Sequence, residues 1–283
     1  MHNFPVDPTP DTLSFFVVYM SHHIEPRSVD AYLSGISSEL ESWFPHVRAA
    51  RRSALVARTL RGCKRMFSKP VNRKHALSRE DLVFALESVG SHPSYDDILF
   101  LTLLITGFHA LLRLGELVWP DNHDLQSYRK IIMRASVLVS HDQYEFTLPS
   151  HKADPFFEGN RIIVRASRDP PNPLPLFQRY LTARDALFRF NPELWLRESG
   201  AIPTRSWFIN RLRTLFPPNI AGHSMRAGGA TSLAAAGVPP ATIQAMGRCL
   251  LAIVRKIRAL WASAGRSVRP ITNAHALLTP EPT

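Results

Sequence analysis

A long apolar run limits what this chain can fold into. From Ile98 to Leu112 its side chains are apolar apart from two threonines, one glycine and one histidine. A helix of that length is too short to cross the roughly 30 Å hydrocarbon core of a bilayer. We therefore predict that the run forms a buried helix and that the other elements pack around it in a soluble protein.

Basic residues are concentrated in two blocks. The 283-residue chain has a formal net charge of +11 and 45% hydrophobic residues. No Asp or Glu occurs between Arg48 and Arg79 or between Ser199 and Pro280, whereas residues 80–198 are slightly acidic. Basic side chains often do no more than solvate helix surfaces. Two long acid-free blocks instead favour a polyanionic partner, of which nucleic acid is the commonest.

Cysteine usage predicts a reducing compartment. Cys63 and Cys249 are far apart, so the chain has neither a disulfide framework nor a CxxC metal site. The first residues lack the charged-then-apolar pattern of a signal peptide. We expect an intracellular protein, nuclear if its source is eukaryotic. We expect no metal at the adjacent pair His22-His23. We also expect no other cofactor, because the sequence has no phosphate-binding loop.

The apolar pattern predicts a mainly α protein with two domains. Apolar residues at helical spacing over 12–70 predict an all-α N-terminal domain, in which Val47 to Phe67 form a helix with one basic face. A basic linker then leads to an α-rich domain over 75–265. Ser78 and Asp81 form a capping-box pattern at its start.

Three short segments of the second domain alternate or are rich in β-branched residues. They predict a small antiparallel sheet formed by residues 136–139, 144–148 and 161–164. We expect residues 1–11 and 266–283 to be flexible tails.

Two short motifs could carry chemistry. Gly222-His223-Ser224-Met225-Arg226 places an imidazole and a guanidinium three residues apart, on one face of a helix. The guanidinium fork matches two non-bridging oxygens of a phosphate. Upstream, Arg113 lies among leucines, where burial is costly unless a partner such as Glu116 is present. Singly, the first motif could be a surface pair and the second a structural ion pair.

Together the motifs resemble the tyrosine recombinases, or phage-type integrases, in particular their eukaryotic mobile-element branch. Leu112-Arg113-Leu114-Gly115-Glu116-Leu117, followed about a hundred residues later by the Gly-His-Ser-Met-Arg motif, is similar to that family's pattern. Lys152 falls between the second and third predicted strands, where the family has a lysine on a hairpin. Gly247-Arg248-Cys249 falls at the family's Gly-His or Gly-Trp step. The resemblance covers about 12–265.

The resemblance implies a fold and a reaction. The N-terminal domain would be the SAM-like core-binding domain, and the second would be the catalytic domain of a DNA breaking-rejoining enzyme. Arg113 and Arg226 would clamp the scissile phosphate, and Glu116 would orient Arg113. Lys152 would protonate the leaving 5′-oxygen, and His223 would assist proton transfer.

The resemblance also implies partners. Double-stranded DNA would be bound by dimers or tetramers of the chain, and no membrane or small-molecule substrate is expected. The DNA-binding side chains before the second domain would be Arg48, Arg51, Arg52, Arg58, Arg61, Lys64, Arg65, Lys69, Arg73 and Lys74.

The nucleophile that the resemblance calls for is missing. The family's tyrosine follows the His/Trp step by eight or nine residues, where this chain has Ile257 or Arg258. The step residue itself is Cys249, which occupies a supporting position and is not favoured as a nucleophile. No tyrosine occurs after Tyr180. We therefore predict a DNA-binding protein of the site-specific recombination and integration lineage that lacks strand-transfer activity.

Several explanations of this gap stay open. The chain could be a degenerate copy of a mobile element, or an active recombinase whose C-terminal segment is altered by a frame or splice error. A tyrosine supplied by another subunit is a less favoured explanation. The non-enzymatic alternative is a DNA-binding regulator repurposed from this fold. An enzyme similar to type IB topoisomerases is a weaker rival, because it also requires a tyrosine.

Overall fold

The computed structural model describes residues 7–70, 74–149 and 159–247. This part of the chain is mainly α, as predicted. The chain divides into two compact units, one ending at Asn72 and the other beginning at Arg73. The helices of the first unit are α1 (Pro10–His23), α2 (Pro26–Glu39), α3 (Val47–Arg52) and α4 (Ala54–Phe67). The helices of the second are α5 (Arg79–Ser88), α6 (Tyr95–His109), α7 (Leu114–Leu117), α8 (Pro173–Leu187), α9 (Arg205–Leu215), α10 (Gly222–Ala235) and α11 (Pro240–Met246). Its strands are β1 (Leu138–Val139), β2 (Gln143–Leu148) and β3 (Asn160–Arg165).

The first unit is a small helical bundle with its own core. Leu13 and Val17 of α1 pack with Val29 and Leu33 of α2 and with Val56 of α4, and all five side chains are buried. Apolar residues at helical spacing therefore meet in one centre, which is what the sequence pattern predicts for an all-α unit.

Two boundaries in this unit differ from the prediction, and a capping side chain explains each. Helix α1 begins at Pro10 because the Thr9 hydroxyl accepts a hydrogen bond from the Thr12 amide, so residues 10 and 11 are helical rather than part of a tail. The predicted single helix from Val47 to Phe67 is two helices. Ser53 is extended between them and caps α4 by accepting from the Val56 amide.

The second unit is built around α6, which is the apolar run. Every residue of α6 from Ile98 to Phe108 is buried, so the predicted buried helix is confirmed. Its start is fixed by a capping box between Ser94 and Asp97. The capping box predicted for Ser78 and Asp81 is present at the start of α5. None of the helices in the described ranges is long and apolar enough to cross a membrane.

The predicted sheet is confirmed as three antiparallel strands in the order β1-β2-β3. Tyr144, Phe146 and Leu148 of β2 point into the core of the unit. The Tyr144 ring stacks on Phe177 of α8 with centroids 3.8 Å apart, and its hydroxyl lies 2.8 Å from that of Thr106 on α6. The sheet is thereby attached to the central helix.

Helix α10 approaches other backbone segments closely through two glycines. A Cβ placed on Gly228 would lie 2.0 Å from the carbonyl oxygen of Leu77, and one on Gly229 would lie 2.0 Å from that of Phe108. Only glycine fits at these two positions. The small residues of this segment predict a thin helix, which another backbone segment could approach closely. The backbone that approaches Gly228 and Gly229 is the chain's own, before α5 and at the end of α6.

We expect Gly228→Ala to destabilise the second unit. The new methyl group would overlap the Leu77 carbonyl, and such overpacking typically costs about 1–3 kcal/mol in the free energy of unfolding. Gly115→Ala is the matched control because a Cβ there has no neighbour within 4 Å. Thermal unfolding of both variants measures the difference. Equal melting temperatures would contradict the close contact.

Candidate functional site

Arg113 follows a tight turn that ends α6. The Leu112 amide donates to the Gly107 carbonyl at 3.0 Å, and the Leu111 amide donates to the Phe108 carbonyl at 3.4 Å. This is the Schellman pattern, in which the residue after the cap is left-handed and is usually glycine. Here that residue is Leu111, with φ of 52°. A left-handed leucine costs about 1–2 kcal/mol, so the surrounding structure must hold it in place.

The structure contains the predicted ion pair between Arg113 and Glu116. The Arg113 Nη1 donates to Glu116 Oε1 at 2.9 Å, and the Arg113 amide donates to Glu116 Oε2 at 2.9 Å. The Glu116 side chain is 7% exposed and that of Arg113 is 30% exposed. The carboxylate therefore caps α7 and at the same time fixes the direction of a guanidinium that solvent still reaches.

Arg226 is held from two sides. It lies on α10, one turn after the exposed His223, and is itself buried. Its Nη1 donates to the Leu111 carbonyl at 2.7 Å, and its Nη2 donates to the Gly247 carbonyl after α11. Backbone carbonyls offset part of the cost of burying the guanidinium, because charge-assisted hydrogen bonds replace those to water.

These contacts bring the two motifs to one corner of the second unit. The Leu111 carbonyl that binds Arg226 is two residues before Arg113. At the start of α10, Gly222 lies so close to Leu114 that a Cβ would be 2.6 Å from Leu114 Cδ2. The side chains of Arg113, His223 and Arg226 thus arise from two helix ends that touch. Two guanidinium groups and an imidazole at such neighbouring positions can donate hydrogen bonds to the oxygens of a phosphate.

The segment before α5 supports the same corner. The His75 amide donates to the Asn219 carbonyl at 2.8 Å, and the Leu77 amide donates to the Ser224 carbonyl at 3.1 Å. Lys74 Nζ donates to the Pro218 carbonyl at 2.9 Å. The start of the unit is therefore bound along the start of α10, the helix that carries His223 and Arg226.

The basic residues of the first unit fall into two groups. In the first group, each basic side chain forms an ion pair with a carboxylate. Arg48 Nη2 lies 2.6 Å from Glu41, and Asp30 binds both Lys64 at 2.8 Å and Arg51 at 3.3 Å. The hydrogen bond from Lys64 is the main reason that the pKa of the Asp30 carboxyl is lowered.

The second group forms a stripe along α4. Arg58, Arg61 and Arg65 recur at helical spacing on the side of α4 opposite the buried Val56 and Cys63. All three are exposed, and among the described residues none of the three forms an ion pair. We call these three residues the arginine stripe. Arg52 and Lys69 are also exposed and likewise have no ion pair in the described part of the chain.

Several solved structures share this arrangement of elements. The Tn1549 transposon integrase in complex with transposon right end DNA matches over 96% of this chain and 85% of its own, with a TM-score of 0.57 and 14% identity. The XerH site-specific recombinase bound to palindromic difH substrate matches over 89% of this chain and 65% of its own, with a TM-score of 0.53 and 13% identity. XerA recombinase matches over 90% and 91%, with a TM-score of 0.50 and 13% identity.

The chain has the tyrosine recombinase fold. The resemblance noted on the motifs and the match of the whole architecture lead to the same fold independently. No protein-family model and no curated protein matches the sequence. At 13–14% identity, the likeness to these structures lies in the fold alone.

Some residues assigned to the recombinase site by sequence lie outside the described residues. They are Lys152, Cys249, Ile257 and Arg258, and the basic linker residue Arg73 lies outside them too. The roles suggested for them stay predictions. Within the described part, the recombinase-like residues Arg113, Glu116, His223 and Arg226 occupy one corner.

Sequence reasoning missed Leu111 and the Gly247 carbonyl, the two groups that hold Arg226. No local signal marks Leu111, because leucine rarely adopts a left-handed conformation. In the sequence, Gly247 is distinguished only by its place at the family's Gly-His or Gly-Trp step. Its carbonyl binds Arg226 across 21 residues, and that contact exists only once α10 and α11 have packed.

His109 is a half-buried titratable group at the same end of α6. Its burial, and to a smaller extent the nearby Arg79 guanidinium, lower the pKa of His109 to about 4. Its Nε2 is buried and has no hydrogen-bond partner among the described residues. Arg79 itself donates to the Ser232 hydroxyl of α10 at 3.0 Å. The neutral imidazole is thus the form that this packing accepts.

We expect the second unit to lose stability between pH 6.5 and pH 4. In this window an unfolded chain protonates His109, with an ordinary pKa of 6.5, whereas the folded chain does not until about pH 4. The free energy of unfolding therefore falls as the pH falls, by up to about 3 kcal/mol at about 1.4 kcal/mol per pH unit. Denaturant unfolding across this range measures the slope.

His109→Gln should remove this part of the slope. His141→Gln is the control, because the His141 side chain is 92% exposed and its loss should leave the slope unchanged. A slope that is the same in His109→Gln and in the unmodified chain would show that His109 is not the responsible group.

Proposed function

We propose that this chain binds duplex DNA and holds one backbone phosphate between Arg113, His223 and Arg226 without cleaving the strand. The observation that carries the proposal is that the two helix starts carrying these residues touch at one corner of a tyrosine recombinase fold, where Arg226 also donates to the Leu111 carbonyl. The net charge of +11 and the arginine stripe support it. So do the Tn1549 integrase structure, a complex with transposon right end DNA, and the XerH structure, which is bound to palindromic difH substrate.

The chemistry of the corner suits a phosphate. Each guanidinium can donate two parallel N–H bonds to non-bridging oxygens. Glu116 orients Arg113, and the Leu111 carbonyl orients Arg226, so little side-chain freedom remains to be lost on binding. The start of α10 adds the positive end of a helix dipole. Such preorganised positive charge would also stabilise the additional charge of a phosphoryl-transfer transition state.

Three of the four tyrosines in the described part of the second unit support binding without cleavage. Tyr95, Tyr144 and Tyr180 are all buried. The Tyr180 hydroxyl donates to the Leu194 carbonyl at 2.9 Å, and burial raises the pKa of Tyr144 and Tyr180 and raises that of Tyr95 to about 12. A DNA phosphate cannot reach these hydroxyls. Tyr128 is exposed, but its ring packs against Trp119, with the centroids 5.3 Å apart.

Two further properties stay predictions from the sequence. They are self-association of the chain on DNA and an intracellular location.

We expect the arginine stripe to contribute more to DNA affinity than the paired basic residues. Arg58→Ala/Arg61→Ala/Arg65→Ala removes three charges that are available to phosphates. It should lower the slope of log K against log salt by about 3, one for each lost contact. Fluorescence anisotropy of labelled duplex DNA over a salt series measures this slope.

The matched control is Arg48→Ala/Arg51→Ala/Lys64→Ala. It removes the same charge from residues that already form ion pairs with Glu41 and Asp30. We expect this triple variant to change the slope by less than about 1. Equal losses in the two triple variants would mean that total charge, and not the stripe, determines binding.

We expect Arg113→Ala and Arg226→Ala each to weaken duplex binding at least about fivefold, which is the loss of about 1 kcal/mol from a charge-assisted contact. Arg189→Ala is the control, because it removes an exposed arginine outside both acid-free blocks. Thermal unfolding is measured in parallel, since Arg226 is buried. If Arg189→Ala weakens binding as much as the other two, the corner does not bind a phosphate.

A nicked suicide substrate tests the absence of cleavage. We expect the unmodified chain to bind it and to form no covalent protein–DNA adduct, because the expected tyrosine position holds Ile257 or Arg258. The variants Ile257→Tyr and Arg258→Tyr show whether the rest of the site can support the reaction. An adduct on the unmodified chain, seen by denaturing electrophoresis, would overturn the non-cleaving assignment.

A further inference from the structure

Leu111 is in a conformation that its side chain does not favour. It is the one non-glycine residue of the described ranges with a positive φ. Glycine would adopt the same turn without strain, because it has no Cβ to clash with the following carbonyl. The leucine at this position therefore needs an explanation beyond the ending of α6.

The backbone of Leu111 positions Arg226. The left-handed turn directs its carbonyl at Arg226, whose Nη1 donates to it at 2.7 Å in a buried setting. Two residues later the chain reaches Arg113, which starts α7. A right-handed residue 111 would turn the carbonyl away and would continue α6, so the same dihedral angle controls the surroundings of both arginines.

The side chain of Leu111 packs against α10 and α11. It is fully buried and packs with Ala230 of α10 and Ile243 of α11. A Cβ on Gly229 would lie 2.6 Å from Leu111 Cδ2, so the side chain lies directly against α10. It therefore attaches the helix that carries Arg226 to the turn whose carbonyl receives Arg226.

We propose that Leu111 is a positioning residue for the phosphate-binding arginines: its left-handed backbone fixes Arg226 and its side chain holds α10 and α11 in register with the turn. This inference rests on the proposed function for its effect on DNA. The turn itself can be tested without DNA.

The two parts separate in the pair Leu111→Gly and Leu111→Ala. Both variants remove the buried isopropyl end of the side chain, but only glycine favours the left-handed turn. We expect Leu111→Gly to melt at or above Leu111→Ala, which is the reverse of the order found at right-handed helical positions. A higher melting temperature for Leu111→Ala would overturn the role of the turn.

DNA binding tests the connection to Arg226. We expect Leu111→Ala to bind duplex DNA about fivefold more weakly than Leu111→Gly. In an Arg226→Ala background this difference should shrink, because the group that the carbonyl fixes is gone and only the effect through Arg113 remains. A residue that only stabilises the fold would show the same difference in both backgrounds, and that result would overturn the proposal.

Two sets of controls keep the test decisive. Leu111→Asn and Leu111→Val repeat the comparison with larger side chains, of which only asparagine tolerates the left-handed region. Ile243→Ala removes packing from the same cluster without altering the turn. It should lower the melting temperature while leaving the effect of Arg226→Ala on DNA binding unchanged.

The outcomes also separate this inference from the proposed function. If the unmodified chain fails to bind duplex DNA, the proposed function is overturned, and the melting comparison still decides whether the turn requires a left-handed residue. If the unmodified chain binds and Leu111→Gly and Leu111→Ala bind equally, the positioning role alone is overturned.

Discussion

The close contact of α10 with the backbone at the end of α6 is the constraint on which the candidate site depends. Gly228 and Gly229 allow the Leu77 and Phe108 carbonyls to approach to distances that no side chain permits. That approach fixes the position at which α10 packs against α6. It thereby determines that Gly222 meets Leu114 and that Arg226 reaches the carbonyl after α6.

The electrostatics of the corner follow from this packing. The segments that carry two positive guanidinium groups are brought to one corner, and each guanidinium is stabilised separately. Arg113 is stabilised by a carboxylate that is 7% exposed, and Arg226 is stabilised by backbone carbonyls in a buried position. Arg113 is thus paired with an opposite charge, whereas the dipoles around Arg226 stabilise its charge without cancelling it, so the pair of arginines keeps a net positive charge for an anion.

Much of the fold follows from local sequence signals because local interactions fix it. The capping box at Ser78 requires only residues three apart, and the strands follow from alternation along a few residues. The break at Ser53 is also local, but a serine within a helical pattern does not show whether it caps a new helix. The helix pattern on both sides of Ser53 therefore predicted one helix where there are two.

The candidate site was predictable in its members but not in its support. Arg113 and Glu116 are three residues apart, so their ion pair is visible in the sequence. The contact of Arg226 with Leu111 spans 115 residues and depends on a backbone angle that leucine seldom adopts. Likewise, nothing local shows that Asp30 forms ion pairs with Lys64 and Arg51 while the arginine stripe has no ion pairs with the described residues.

The clamp and the nucleophile of a recombinase need not depend on the same structure. Every contact described above for Arg113 and Arg226 comes from residues up to Gly247, whereas the family's tyrosine belongs after Cys249. A change in that later segment can therefore remove the group that attacks phosphorus without disturbing the groups that bind the phosphate. Under the proposed function, binding and strand cleavage are therefore separable, and a chain without the tyrosine can keep the preorganised arrangement of Arg113 and Arg226.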